Sequence, residues 1–195
     1  MQRVFAFAIA ALLLGGGVDF VFSGPQKQTA RQVRTTANRV NDERAKAIIS
    51  ERVRHELALL PYYGVFDWIE AQVVPTDTVV LRGQVIRPTT KSDAEARVKR
   101  IESVDKVINQ IEVLPLSPSD DEARIATYRA IFKYNGPLFR YSTSATPSIH
   151  IIVKNGRVTL KGYVADAGDR QIAYTYARGV PFVFDVKNEL QVVKG

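Results

Sequence analysis

The chain has 195 residues, 46% of them apolar and 24% charged, enough for one ordinary domain or two small ones and too apolar for wholesale disorder. It contains no cysteine and only two histidines, which excludes disulfides, thiol nucleophiles, Cys-ligated zinc, His-rich metal sites and a lipidated N-terminal cysteine. A net charge of +7 and a pI near 9.7 favour anionic partners.

Met1-Gln2-Arg3 followed by the apolar run Val4 to Val18 predicts a secretory signal over 1–23, with Val21 and Ser23 as the small residues before Gly24. The rival is an uncleaved anchor over residues 4–23, which Asp19 and Gly15-Gly16-Gly17 oppose. Residues 24–44 then form a basic spacer with Lys27, Arg31, Arg34, Arg39 and Arg44. Val33, Ala37 and Val40 give it a helical spacing, and beside an anionic membrane its cations would bind headgroups.

Ile49, Val53, Leu57 and Leu60 recur at three or four residues and predict a helix ending before Pro61. The aromatic segment LPYYGVFDWIE follows, in which Tyr62, Tyr63 and Trp68 are candidates for contact with a partner or with another part of the chain. TVVLRGQV (Thr78 to Val85) alternates as a strand. Ser92 with Glu95 reads as a capping box, Ala94, Val98 and Ile101 as a helical stripe, and Val107, Asn109, Ile111 and Val113 as a second strand face. LPLSPSD (Leu114 to Asp120) is a linker by its prolines and serines. Asp120-Asp121-Glu122 suits a helix N-terminus better than a metal site, with Ile125, Tyr128, Ile131 and Phe132 as the apolar positions that follow. The chain ends with the strand RVTLKGYV, a helix with Ala173, Ala177 and Val180 behind Asp169 as its cap, and the alternation Val186, Asn188, Leu190, Val192.

The second half repeats the first. Residues 71–113 laid without a gap on 150–192 give ten identities in 43 positions, Val74/Val153, Leu81/Leu160 and Asn109/Asn188 among them. Composition alone would give about two or three. In the strand they fall on alternate residues, so one face is shared while the other diverges as a solvent face would. Gly83 and Gly162 sit mid-strand, where glycine marks a bulge or a closely packed backbone or helix. The small alanines of the following helix suggest that it is the helix that approaches. The fold class expected is α+β: two tandem α-β-β-α-β modules, each a three-stranded sheet on two helices, over 45–115 and 121–194 with 116–120 between.

No catalytic set stands out. His55 and His150 read as helix and strand residues, and no Gly-x-Ser-x-Gly elbow or Gly-Lys-Ser/Thr phosphate loop occurs. No enzyme activity, cofactor, metal or small-molecule substrate is expected. Nucleic acid is not expected either, because the basic spacer lacks aromatics to stack on bases. Aromatic and basic residues interleave from Tyr128 to Tyr141, a composition suited to a membrane interface.

VVLRGQV and VTLKGYV, with the endings SVDKVINQIEV and FVFDVKNELQV, resemble the BON domain, named for bacterial osmotically induced and nodulation proteins. The second copy departs from the family's Gly-Val before the last strand, having Phe182-Val183 there. The resemblance implies an exported, non-enzymatic envelope protein that binds anionic phospholipid or envelope proteins and supports envelope integrity under osmotic stress. It points to the second module's first helix and its exit, at Arg129, Phe132, Lys133, Phe139 and Arg140. Gly83, Gly162, Asn109 and Asn188 are the structural marks. The alternative is a periplasmic chaperone or adaptor working through Tyr62, Tyr63 and Trp68.

Overall fold

The computed structural model describes residues 26–74, 77–143 and 147–193; the predicted signal lies outside them. The chain divides into two units, Met1–Val40 and Asn41–Gly195, and both modules lie in the second. In the first, the described backbone is helical.

Module 1 is built from the part of α1 (Gln26–Ala58) that follows Val40, with β1 (Trp68–Val74), β2 (Thr78–Val85), α2 (Pro88–Lys99) and β3 (Lys106–Val113). Module 2 has α3 (Pro118–Ile131), a 3-10 turn (Phe139–Ser142), β4 (Ile149–Lys154), β5 (Arg157–Val164), α4 (Ala167–Arg178), β6 (Asp185–Asn188) and β7 (Gln191–Val192). Each sheet opens with an antiparallel hairpin and adds its last strand parallel to the middle one, through a crossover helix. This is α-β-β-α-β twice, the α+β arrangement the repeat implies. Each module has its own core: Val79, Leu81, Val85 and Ile111 pack with Val53 and Val98 in one, and Val158, Leu160, Val164 and Leu190 with Ala123 and Ala177 in the other.

The third strands keep a common register. Val107 lies beside Val79 and Val113 beside Val85, as Val186 lies beside Val158 and Val192 beside Val164. Phe182-Val183 therefore shifts nothing, although the strand is interrupted at Glu189-Leu190 to give β6 and β7. The first strands do shift. Val74 pairs with Thr78 across three residues, whereas Lys154 pairs with Arg157 across only Asn155 and Gly156. Ile149 therefore corresponds to Ile69, His150 to Glu70 and Val153 to Val73, so the gapless pairing of Val74 with Val153 does not hold in space.

Four local expectations need correction. A Cβ on Gly83 would lie 1.9 Å from the Trp68 carbonyl oxygen, and one on Gly162 2.1 Å from that of Ser148. It is the neighbouring strand that crowds these glycines, at φ +132° and +109°, and not the helix. α2 starts at Pro88 with no side-chain cap, and Ser92 lies inside it, its hydroxyl donating to the Thr89 carbonyl at 2.9 Å. Proline at the first position needs no N–H partner, so the capping box is superseded. α4 is capped by Asp166, which accepts from the Asp169 N–H at 2.8 Å. In α3, capped by Ser117, the buried face is Asp120, Ala123, Arg124, Thr127 and Ile131, while Ile125 and Tyr128 lie toward the exposed side. Ile131 and Phe132 are buried as expected, but Asp120 and Arg124 take the place of Ile125 and Tyr128 because they find partners there. Asp120 accepts from the N–H groups of Asn155 at 2.9 Å and Gly156 at 2.8 Å, holding the β4–β5 turn and not the helix end. Arg124 donates to the Val153 carbonyl at 2.8 Å and to Asp121.

Candidate functional site

The four structural marks act in pairs. Beyond the glycines, Asn109 donates to the Lys91 carbonyl at 3.0 Å and accepts from the Ile111 N–H at 3.1 Å. Asn188 repeats both bonds with Arg170 at 2.8 Å and Leu190 at 3.2 Å. Each asparagine thus fastens the third strand to the first turn of the crossover helix.

The loop from Leu60 to Trp68 joins the two modules. Asp67 shapes it, accepting from the N–H groups of Gly64 at 3.1 Å and Ile86 at 2.9 Å. The Val65 carbonyl then accepts from the Ile151 N–H of β4 at 2.7 Å, while Val65 and Phe66 pack on the core of module 2. His150 Nδ1 lies 3.2 Å from the Gly64 carbonyl, its ring centred 5.0 Å from Trp68 and 5.6 Å from Tyr63. Tyr63 and Trp68 are thus held against the other module; Tyr62 stays exposed, under the Arg87 guanidinium at 4.7 Å. Ion pairs extend the seam, Lys154 to Glu112 at 2.5 Å and Lys161 to Glu70 at 3.4 Å. The helix-free strand faces are consequently not all solvent faces: Val80 and Ile152 are buried.

Burial sets the electrostatics of this seam. It pushes the Asp67 carboxyl above its usual value, outweighing the N–H groups of Ile86 and Gly64 and the cations of Arg87 and Arg124. It pushes the His150 imidazole below its usual value despite nearby carbonyls. The Tyr63 phenol is pushed up to about 12, again chiefly by burial. Sequence reasoning missed His150, Asp67 and Val65. The only signal was a Val-Phe-Asp run inside an aromatic loop.

The second surface is the C-terminal end of α3 and its exit. Phe132, one of the residues the resemblance points to, is only 7% exposed and belongs to the module core beside Tyr128, 5.0 Å between centroids. Arg140 is exposed but committed to Asp169, a buried carboxylate that also accepts from the Tyr141 hydroxyl. Phe139 is half-buried, with the exposed Tyr134 edge-on to it at 5.3 Å. Arg129 and Lys133 are exposed and stand in no ion pair among the described residues. What faces water here is Arg129 and Lys133, the Asp169-bound Arg140 and the Tyr134 ring. Among the described residues no three His, Asp or Glu side chains converge as a metal would require, and no helix is long and apolar enough to cross a membrane.

A duplicated α-β-β-α-β module with a glycine in its middle strand and an asparagine in its last defines the class. The BON domain family matches it over residues 45–115 and 129–194, and the chain belongs to that family. BON domains are associated with envelope and osmotic-stress proteins and with phospholipid binding, and are generally non-enzymatic. No curated protein matches the chain. Among solved structures it is similar to CdsD, a structural protein of the type III secretion system of Chlamydia trachomatis, at 12% identity over 74% of this chain and 92% of that one, with a TM-score of 0.30. The C-terminal domain of CdsD gives 13% identity over 71% and 96%, with a TM-score of 0.25.

Proposed function

We propose that this is a non-enzymatic, exported envelope protein that binds anionic phospholipid surfaces peripherally and supports envelope integrity or osmotic stress tolerance. The observation that carries the reading is the exit of α3, where the exposed Arg129 and Lys133, in no ion pair among the described residues, stand in one segment with the exposed Tyr134 and the half-buried Phe139. Rings of this kind sit at headgroup level while cations meet phosphates, each contributing about 1 kcal/mol near an anionic surface. The family association supports the same reading. Tyr63 and Trp68 are engaged inside the molecule, which leaves Tyr62 alone for the adaptor reading.

Co-sedimentation with phosphatidylglycerol and phosphatidylcholine vesicles tests it. Binding is expected only to the anionic vesicles, weakened by salt and lost in the pair Arg129→Glu with Lys133→Glu. Because Phe132 is a core residue, its truncation tests stability rather than lipid contact. Absence of binding to phosphatidylglycerol at low salt would discard this function.

A further inference from the structure

The chain holds two Asn-Gly pairs, Asn135-Gly136 at the exit of α3 and Asn155-Gly156 in the β4–β5 turn. Both asparagines sit in left-handed backbone, at φ 58° and 53°. Such a pair can react with itself. The glycine nitrogen bonds to the asparagine side-chain carbon Cγ, the Cγ–Nδ2 bond breaks, and the amide leaves as ammonia with the glycine N–H proton. Water then opens the cyclic imide to aspartate or isoaspartate. Glycine favours the ring closure because it has no Cβ to crowd the approach. Its nitrogen must first give up its hydrogen bond and swing onto Cγ.

In the β4–β5 turn that movement is opposed. Asp120, itself 2% exposed, accepts from the Asn155 N–H at 2.9 Å and from the Gly156 N–H at 2.8 Å. A carboxylate acceptor makes the stronger bond and resists loss of the proton. The Gly156 carbonyl is taken by the Phe184 N–H at 2.9 Å, and paired strands enter the turn from both sides. At the exit of α3, Gly136 donates to a neutral acceptor, the Lys133 carbonyl, at 2.8 Å, and its carbonyl accepts from the Phe139 N–H at 3.1 Å. Asn135 is exposed, and its side-chain amide makes no hydrogen bond among the described residues. No strand flanks the segment between Ile131 and Phe139. Exposed loops of this kind open locally at a far smaller cost than paired strands over a core.

We propose that Asn135 is a deamidation site, and that its conversion to a carboxylate weakens the attachment of the α3 exit to anionic membrane. The consequence for attachment rests on the lipid reading above. The new carboxylate stands beside Tyr134 and two residues from Lys133, so it offsets one of the exposed cations, Arg129 and Lys133, that this surface presents. Isoaspartate also lengthens the main chain in the same segment. The loss of ammonia is irreversible, so the surface loses lipid affinity as the molecule ages.

Peptide mass spectrometry of the full chain, aged in mildly alkaline buffer, tests the site without any lipid. Conversion is expected to accumulate at Asn135 while Asn155 stays an amide. In the urea-unfolded chain the two should convert comparably, because the fold is what separates them. Phosphatidylglycerol vesicles test the consequence. Asn135→Asp, which imitates the product, is expected to bind about fivefold more weakly than fresh wild type, the effect of one charge near the surface. Asn135→Gly suits the left-handed backbone and cannot react, so it should keep its binding on ageing while wild type loses it. An Asn135 that persists as long as Asn155 in the folded chain, or an Asn135→Asp variant that binds as wild type does, would overturn the proposal. Fresh wild type that ignores these vesicles would discard the lipid reading and the consequence with it, and the mass spectrum would still decide the site.

Discussion

The two modules share a fold but solve their edges differently. Both keep the crowded glycine and the asparagine that pins the last strand to the helix, because these answer constraints internal to the module. They differ in how the rest of each module is held together. α1 buries Ile49, Val53 and Leu57, an apolar stripe, whereas α3 buries Asp120 and Arg124 to serve the β4–β5 turn and the β4 edge. β3 is continuous, while its counterpart breaks into β6 and β7. Duplication preserved what closes each core and released what faces a neighbour.

The glycines give the sharpest test of that comparison. Gly162→Ala and Gly83→Ala each set a Cβ about 2 Å from a backbone carbonyl at positive φ, and each is expected to cost about 4 kcal/mol or more in urea denaturation. Equal losses would show that both modules rely on the same crowding, and a tolerated alanine in either would break the equivalence. Phe132→Ala is expected to cost about 3–4 kcal/mol as a core truncation. Asp120→Ala comes next, at about 2–4 kcal/mol, because the Asn155 and Gly156 N–H groups lose a buried acceptor. Among the described residues module 1 shows no counterpart to these bonds. Asn109→Ala and Asn188→Ala should each cost about 1–2 kcal/mol, the two values close together.

The shared features were legible in the sequence because they repeat: Gly83 with Gly162 and Asn109 with Asn188 are identities at a fixed spacing. The unshared ones left no such trace. The buried face of α3 was misread because Arg124 and Asp120 look like solvent residues until their partners on β4 and its turn are in place. The shift of β4 against β1 was invisible because the Asn155-Gly156 turn is one residue shorter, and valines on both sides of that register hid the slip. The seam was hardest to read. A one-residue backbone contact, Val65 to Ile151, depends on tertiary placement and leaves no periodicity in the chain.

The smallest effect expected distinguishes the seam from both cores, and it depends on pH. His150 has its folded value below the ordinary 6.5 because of burial, so as pH falls through 6.5 the unfolded chain takes up a proton that the folded one refuses. Stability from this residue is fully present above 6.5 and declines on acidification toward the lowered folded value. Asp67 runs the opposite way. Burial lifts its folded value above 3.8, so raising the pH through 3.8 ionises the unfolded carboxyl first, and the seam is favoured on the acid side of that window. The two windows open from opposite ends, His150 downward from 6.5 and Asp67 upward from 3.8. Urea denaturation at pH 7.5 and 5.5 should therefore show a loss on acidification in wild type that is smaller in His150→Gln, whose amide keeps a donor toward the Gly64 carbonyl without titrating. Neither core contains a histidine, so a loss unchanged in His150→Gln would place the acid-sensitive group outside the seam.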